Sequence, residues 1–133
     1  MKRSSFVQDY GLDEIAYFAF DSSGTDTEQL KGYQHVARVS GASGAGTLYL
    51  PPLADCPLMG MYFVQATSVA GGNVTVAPFK GGQSTAEAVF YENEGTLGGG
   101  TATSEAITAA NGWLLLMALG DRWIVVADDL DAS

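Results

Sequence analysis

Charge is what this sequence has least of for its size. Asp, Glu, Lys and Arg make up 16% of its 133 residues, against about 25% in an average soluble domain. Too few charges remain to coat an ordinary monomer. The surface must therefore be rich in Ser, Thr and Gly, or partly covered by neighbouring subunits, and both are expected. Basic residues are scarcer still: 6 Lys and Arg against 15 Asp and Glu give a net charge of −9. They do not cluster beyond Lys2-Arg3. Contact with nucleic-acid phosphates needs a basic footprint, so no nucleic acid is expected as a partner. Cysteine occurs once, at Cys56, which excludes an intrachain disulfide and suits assembly in a reducing cytosol. Apolar runs are short, none approaching the roughly 18 residues that span a bilayer, so no membrane partner is expected. The start Met1-Lys2-Arg3-Ser4-Ser5-Phe6 has the charge of a signal peptide, but Asp9, Asp13 and Glu14 interrupt the apolar stretch that should follow. A secretory signal is not expected.

What the chain does have is apolar residues, 47% of the total, and 17 glycines against 4 prolines. The glycines are spread between apolar runs, the pattern of tight turns joining short strands. The clearest case is the stretch from Gly112 to Asp128. Trp113–Leu119 and Trp123–Ala127 flank a Gly120-Asp121 break, and Gly at the first position of a two-residue loop suits a type II′ hairpin turn. That turn predicts Ala118 opposite Trp123, Leu116 opposite Val125 and Leu114 opposite Ala127. Residues 114–119 are apolar on both faces, so this strand must be covered on both sides, by a second sheet or by another copy of the chain.

Further strands are predicted at 15–20, 33–39 (with Tyr33, His35, Ala37 and Val39 on one face), 47–50, 61–67, 73–79, 85–91 and 104–109. Pro51-Pro52 ends the third of these. Gly71-Gly72 reads as a hairpin corner between 61–67 and 73–79, and Gly41–Gly46 as a flexible turn. With no helix of normal length and turns every 8–12 residues, the chain is expected to be all-β, an antiparallel β-sandwich or jelly-roll-like domain over 15–133. Residues 1–14, polar with isolated Phe6, Val7, Tyr10 and Leu12, are expected to form an extended N-terminal arm able to dock on a neighbour. No internal sequence repeat is evident, and the acidic residues 128–133 read as a solvated tail.

Few residues offer chemistry. The acidic loop at 21–32 contains Asp21, Asp26 and Glu28 but lacks the glycine and glutamate spacing of a helix–loop–helix calcium site, so solvated Asx-type turns are expected. His35, the single histidine, lacks the Cys or second His that a metal site would need and is expected to be packed or hydrogen-bonded. Asp55 beside Cys56 disfavours a thiolate, so the thiol is expected to behave as a small buried hydrophobe. Gly41–Gly46 lacks the Lys-Ser/Thr ending of a phosphate-binding loop. A carboxylate pair for glycan hydrolysis would have to come from Glu87, Glu92, Glu94 and Glu105. No residue is assigned a catalytic, cofactor-binding or metal-binding role.

From Gly46 to Asp128 the order of elements is familiar: Leu50-Pro51-Pro52, then Tyr62-Phe63-Val64, then Asn73-Val74-Thr75-Val76-Ala77-Pro78, a glycine-rich stretch, and finally Trp113–Leu116 with Gly120-Asp121-Arg122-Trp123-Ile124-Val125. This resembles small β-rich structural proteins of tailed bacteriophages: capsid decoration (cement) proteins, head fibres and tail-fibre modules. The resemblance implies a virion component without catalysis or cofactor, usually a homotrimer, assembled in the host cytoplasm and bound to the major capsid protein. Capsid decoration is the first expectation, a receptor-binding head- or tail-fibre module the second, and a small β-sandwich glycan hydrolase a distant third.

Overall fold

The computed structural model describes residues 15–83, 86–87, 90–91, 101–102 and 104–131; residues 1–14, expected to form the arm, lie outside them. Eleven strands are present among the described residues: β1 (Ile15–Ala19), β2 (Asp26–Gln29), β3 (Val36–Ser40), β4 (Gly46–Tyr49), β5 (Met61–Ser68), β6 (Val74–Ala77), β7 (Phe90–Tyr91), β8 (Thr101–Ala102), β9 (Glu105–Ile107), β10 (Trp113–Ala118) and β11 (Trp123–Asp129). They form a seven-stranded sheet, in the order β1-β3-β5-β10-β11-β7-β8, and a four-stranded sheet, in the order β2-β4-β6-β9. The chain is therefore all-β, and its two sheets pack face to face as a sandwich.

The pairing is mixed rather than antiparallel throughout. In the first half of the chain successive strands alternate between sheets, so β1, β3 and β5 lie parallel in one and β2, β4 and β6 lie parallel in the other. The backbone winds three times around a flattened coil. From Ile15 to its partner Val36 one turn takes 21 residues; from Val36 to Phe63 the next takes 27. The longer turn carries the 3-10 segment Leu53–Asp55 after the two prolines. Parallel strands need a crossover, and here the crossover is itself a strand of the opposite sheet. Inside–outside alternation reports which face is buried and is silent on the direction of the neighbour, which is why the sequence pattern led to an antiparallel expectation. The second half reverses: β9 runs antiparallel to β6, β10 to β5, and β11 to β10.

The winding corrects two turn assignments. Gly71-Gly72 joins β5 to β6, which lie in different sheets, so the corner is a crossing and not a hairpin. Nor is the stretch from Gly41 to Gly46 a loose turn. The Gly41 N–H donates to the Ser68 carbonyl at 2.7 Å, and the Gly71 N–H donates to the Gly41 carbonyl at 2.8 Å. Two turns of the coil thus stack backbone on backbone, and a Cβ on Gly71 would lie 2.5 Å from the Gly44 nitrogen. Within the stretch read as an acidic loop, Asp26–Gln29 is an edge strand paired with β4. Of the expected strand at 85–91, Phe90–Tyr91 is present, and residues 85, 88 and 89 lie outside the described residues. Of the expected acidic tail, Asp128 and Asp129 belong to β11.

The terminal hairpin forms around Gly120, whose φ is 89°. Asp121 keeps a negative φ, as a type II′ turn requires. Ala118 faces Trp123 and Leu116 faces Val125, as expected, but a bulge between Leu115 and Leu116 shifts the register, so Leu114 faces Asp128 and Leu115 faces Ala127. Between the sheets lie Ala37, Val39, Tyr62, Val64, Ala66, Leu114, Leu116 and Trp123 from the larger sheet, and Leu48, Val74, Val76 and Ile107 from the smaller. Each of these is sealed from solvent. Phe20, Leu30, Leu50 and Leu53 plug the corners where the coil turns.

Candidate functional site

Asp21, Asp26, His35, Cys56 and Glu87, all singled out for chemistry, are occupied in structural contacts. In the acidic loop, the Asp21 carboxylate accepts from the Ser23 N–H at 2.9 Å, and the Asp26 carboxylate accepts from the Asp21 N–H at 2.9 Å. The hydrogen bonds from Ser23 hold the exposed Asp21 carboxyl below its ordinary pKa. The Asp21–Ser23 contact is the expected Asx turn. His35 stacks on Tyr62 with ring centroids 4.4 Å apart, and its Nδ1 lies 2.8 Å from the Met61 carbonyl, so Nδ1 carries the proton. The Cys56 thiol donates to the Pro52 carbonyl at 3.4 Å. Partial burial, reinforced by Asp55 and Glu87, raises its pKa above the ordinary thiol value. A thiol raised in this way is a poor nucleophile.

Glu87 also acts as a brace, its carboxylate accepting from the Leu53 N–H at 2.8 Å. Glu105 sits on β9 with Oε1 enclosed and without a hydrogen-bond partner among the described residues. Glu92 and Glu94 lie outside the described residues. Among the described residues no three His, Cys, Asp or Glu side chains converge as a metal site requires, and no helix is long and apolar enough to cross a membrane.

Two surfaces remain. The first is the outer face of the seven-stranded sheet. The register places Ile15, Val36, Phe63, Leu115 and Ala127 in one continuous row across five strands. With strands about 4.8 Å apart, this apolar row is about 19 Å wide. Met61, Met117 and Ile124 form a second apolar row beside it. On the other side runs the row Tyr17, Arg38, Gln65, Trp113 and Asp129, in which the Trp113 ring stacks on Phe63 at 5.7 Å. No third layer of described residues seals this face: Ile15 is 43% exposed and Tyr17 68%, and Val36, Phe63, Trp113, Leu115 and Met117 are all partly open. The two-sided apolar pattern of 114–119 is thus resolved: Leu114 and Leu116 point into the sandwich, and Leu115 and Met117 point away from it. That pattern is visible in the sequence of β10. Its continuation over Ile15, Val36 and Phe63 depends on a parallel register that no local signal encodes.

The second surface is a groove of about 480 Å³ at one end of the sandwich, lined by Lys31, Tyr33, Pro52, Asp55 and Phe79 among others. Its floor is firm. Gln34 accepts from the Lys31 N–H, the Tyr62 hydroxyl donates to the Gly32 carbonyl at 2.6 Å, and the Gln29 amide donates to the carbonyls of Leu30, Tyr49 and Leu50. The sequence pattern places Tyr33 on one face of a strand with Ala37 and Val39. In the structure it precedes β3 and is 61% exposed. Tyr33, Pro52 and Phe79 are too far apart in sequence for any local pattern to unite them.

The fold and these two surfaces define an all-β sandwich with an uncovered apolar face and an aromatic end groove. No protein-family model matches the chain, and no curated protein matches it in sequence.

Proposed function

We propose that this chain is a structural protein of a tailed-bacteriophage virion, a capsid decoration protein that works as a homotrimer on the outer surface of the head. The observation that carries the reading is the outer face of the seven-stranded sheet: a monomer seldom leaves a contiguous apolar surface of this kind open to water. Such a chain is built to be part of an assembly. The net charge of −9 suits the outside of a particle, away from packaged DNA, and the resemblance from Gly46 to Asp128 supplies the kind of assembly. Bridging neighbouring capsid subunits adds binding free energy to the assembled state alone, which stabilises the head by mass action. The deciding experiment is the copy number of the chain in purified particles, measured by quantitative mass spectrometry against the major capsid protein. Hundreds of copies in fixed ratio support decoration, and absence from particles overturns the virion reading.

The end groove favours a second reading, a head- or tail-fibre module that binds a host receptor. Exposed Tyr33 beside Phe79 and Pro52, with Lys31 and Asp55 at the same groove, combines apolar walls with a few polar groups as ligand sites do. This reading requires a handful of copies per particle and loss of host adsorption on Tyr33→Ala.

A further inference from the structure

We infer that the outer face of the seven-stranded sheet is buried against further copies of this chain, with Arg38 of one copy set against Asp129 of the next. The inference rests on the self-association in the reading above and not on its virion setting. It follows from how the few charges are placed. Among the described residues, two charged side chains lie in the rows of this face across β1, β3, β5, β10 and β11, and they are of opposite sign. Both occupy the same row: Tyr17, Arg38, Gln65, Trp113, Asp129.

Within one chain the two cannot meet. They are three strand spacings apart, about 14 Å at about 4.8 Å per step, with Gln65 and Trp113 between them. Arg38 has no ion pair among the described residues. Yet they are symmetrically placed. A line along the strands, midway between β5 and β10, has Arg38 one and a half strands to one side and Asp129 one and a half strands to the other. Rotation about an axis parallel to that line keeps every residue at its height along the strands. Copies arranged around such an axis, sheets facing inward, therefore bring Arg38 of one copy to Asp129 of the next at equal height. The same operation sets Val36 against Ala127 and Phe63 against Leu115, apolar on apolar. The face is thus complementary to itself in charge as well as in apolar character.

The composition agrees. Charged residues are depleted at the centres of protein interfaces, where aromatic residues, Met and Arg are enriched, and this face offers Phe63, Trp113, Met61, Met117 and Arg38. A chain of net charge −9 repels its copies at long range, so an interface between them has to be short of carboxylates. In the described rows of this face the one carboxylate, Asp129, sits where an arginine of the next copy arrives.

The test uses the full chain at micromolar concentration, with mass measured by light scattering and native mass spectrometry. The wild type is expected to be a closed oligomer. Leu115→Glu, which puts a charge at the centre of the apolar row, is expected to give a folded monomer, the fold checked by circular dichroism and a cooperative melt. Arg38→Asp sets like charges together and should raise the dissociation constant at least about tenfold. The double exchange Arg38→Asp with Asp129→Arg should restore assembly, and it keeps the proposal testable if Leu115→Glu does not fold. A monomeric wild type overturns the inference. So does an oligomer indifferent to Leu115→Glu and Arg38→Asp, or one that Arg38→Asp breaks and the double exchange fails to mend. Deleting residues 1–14 gives a further check: a chain monomeric with them and oligomeric without them would show its own N-terminal segment covering the face, against the inference. A self-associating chain that is missing from particles would sink the virion reading and leave this interface standing.

Discussion

The rings of Tyr62 and Trp123 meet edge to face with centroids 5.4 Å apart and planes at 77°, and neither side chain is exposed to solvent. The Tyr62 hydroxyl reaches past the core to donate to the Gly32 carbonyl at 2.6 Å, which ties β5 to the turn before β3. Burial lifts the Tyr62 hydroxyl far above its ordinary pKa, so it remains a donor at every working pH. Tyr62→Phe keeps the ring pair and orphans the Gly32 carbonyl, a loss of about 1–3 kcal/mol. Trp123→Ser removes the largest core side chain and leaves a cavity, a loss of about 3–5 kcal/mol or more. Urea denaturation should show the first variant as a native-like protein with a lower midpoint. The second should be unfolded or close to it at 37 °C. A native-like melt for Trp123→Ser would place the core elsewhere.

A substitution at a glycine tests the coil. A Cβ at Gly71 would lie 2.5 Å from the Gly44 nitrogen and 2.6 Å from the Ala42 carbonyl oxygen, both backbone atoms of the preceding turn. Backbone cannot step aside as a flexible side chain can, so Gly71→Ala should destabilise by about 1–3 kcal/mol. Were the corner a loose hairpin, the same change would restrict the unfolded chain and be neutral or slightly stabilising. The midpoint of thermal unfolding separates the two cases.

Gly120→Ala makes a contrasting case. Its nearest neighbour would be the Leu58 Cδ1 at 3.7 Å, an ordinary contact, but its φ of 89° is one that L residues avoid. The expected loss is about 1–2 kcal/mol from backbone strain alone. The assembly state should be unaffected, because the turn lies beyond the rows of the outer sheet face. A change of mass on Gly120→Ala would count against the position of the proposed interface.

These substitutions mark where sequence pattern and structure part company. The apolar runs at Met61–Thr67 and Trp113–Ala118 identify strands. The polar Gln65 and Thr67 mark the open side of the first, whereas the second, apolar on both faces, does not show in sequence which side is buried. Ala118 opposite Trp123 follows from the turn at Gly120. The partner of β3 does not follow, since Val36 pairs with Ile15 and Phe63 through turns of 21 and 27 residues that share no sequence repeat. The coil is repeated by backbone geometry and not by residue identity. Asp26–Gln29 escapes a sequence reading because an edge strand of Asp, Thr, Glu and Gln carries a loop's composition, and pairing to β4 outweighs that propensity. The end groove is illegible for a similar reason: Tyr33 and Phe79 line one groove because the coil brings their turns to the same end of the sandwich.

The last prediction concerns pH. Partial burial, with Asp55 and Glu87 nearby, holds the Cys56 thiol above its ordinary pKa in the folded chain. An acid whose folded pKa is raised favours the fold while it is neutral. Its contribution is therefore fully present below the unfolded thiol value of about 8.5 and is lost as pH rises through and beyond it. The stability gap between wild type and Cys56→Ala, from urea denaturation, should accordingly be larger at pH 7 than at pH 10. Alkylation of the native thiol at pH 8 should be slower than that of the unfolded chain, since the thiolate is the reacting form. Asp55→Asn removes one of the neighbouring charges and should speed the native reaction. A native thiol that reacts as fast as the unfolded one would show that Cys56 is held open to solvent and base, and would return it to the candidate nucleophiles.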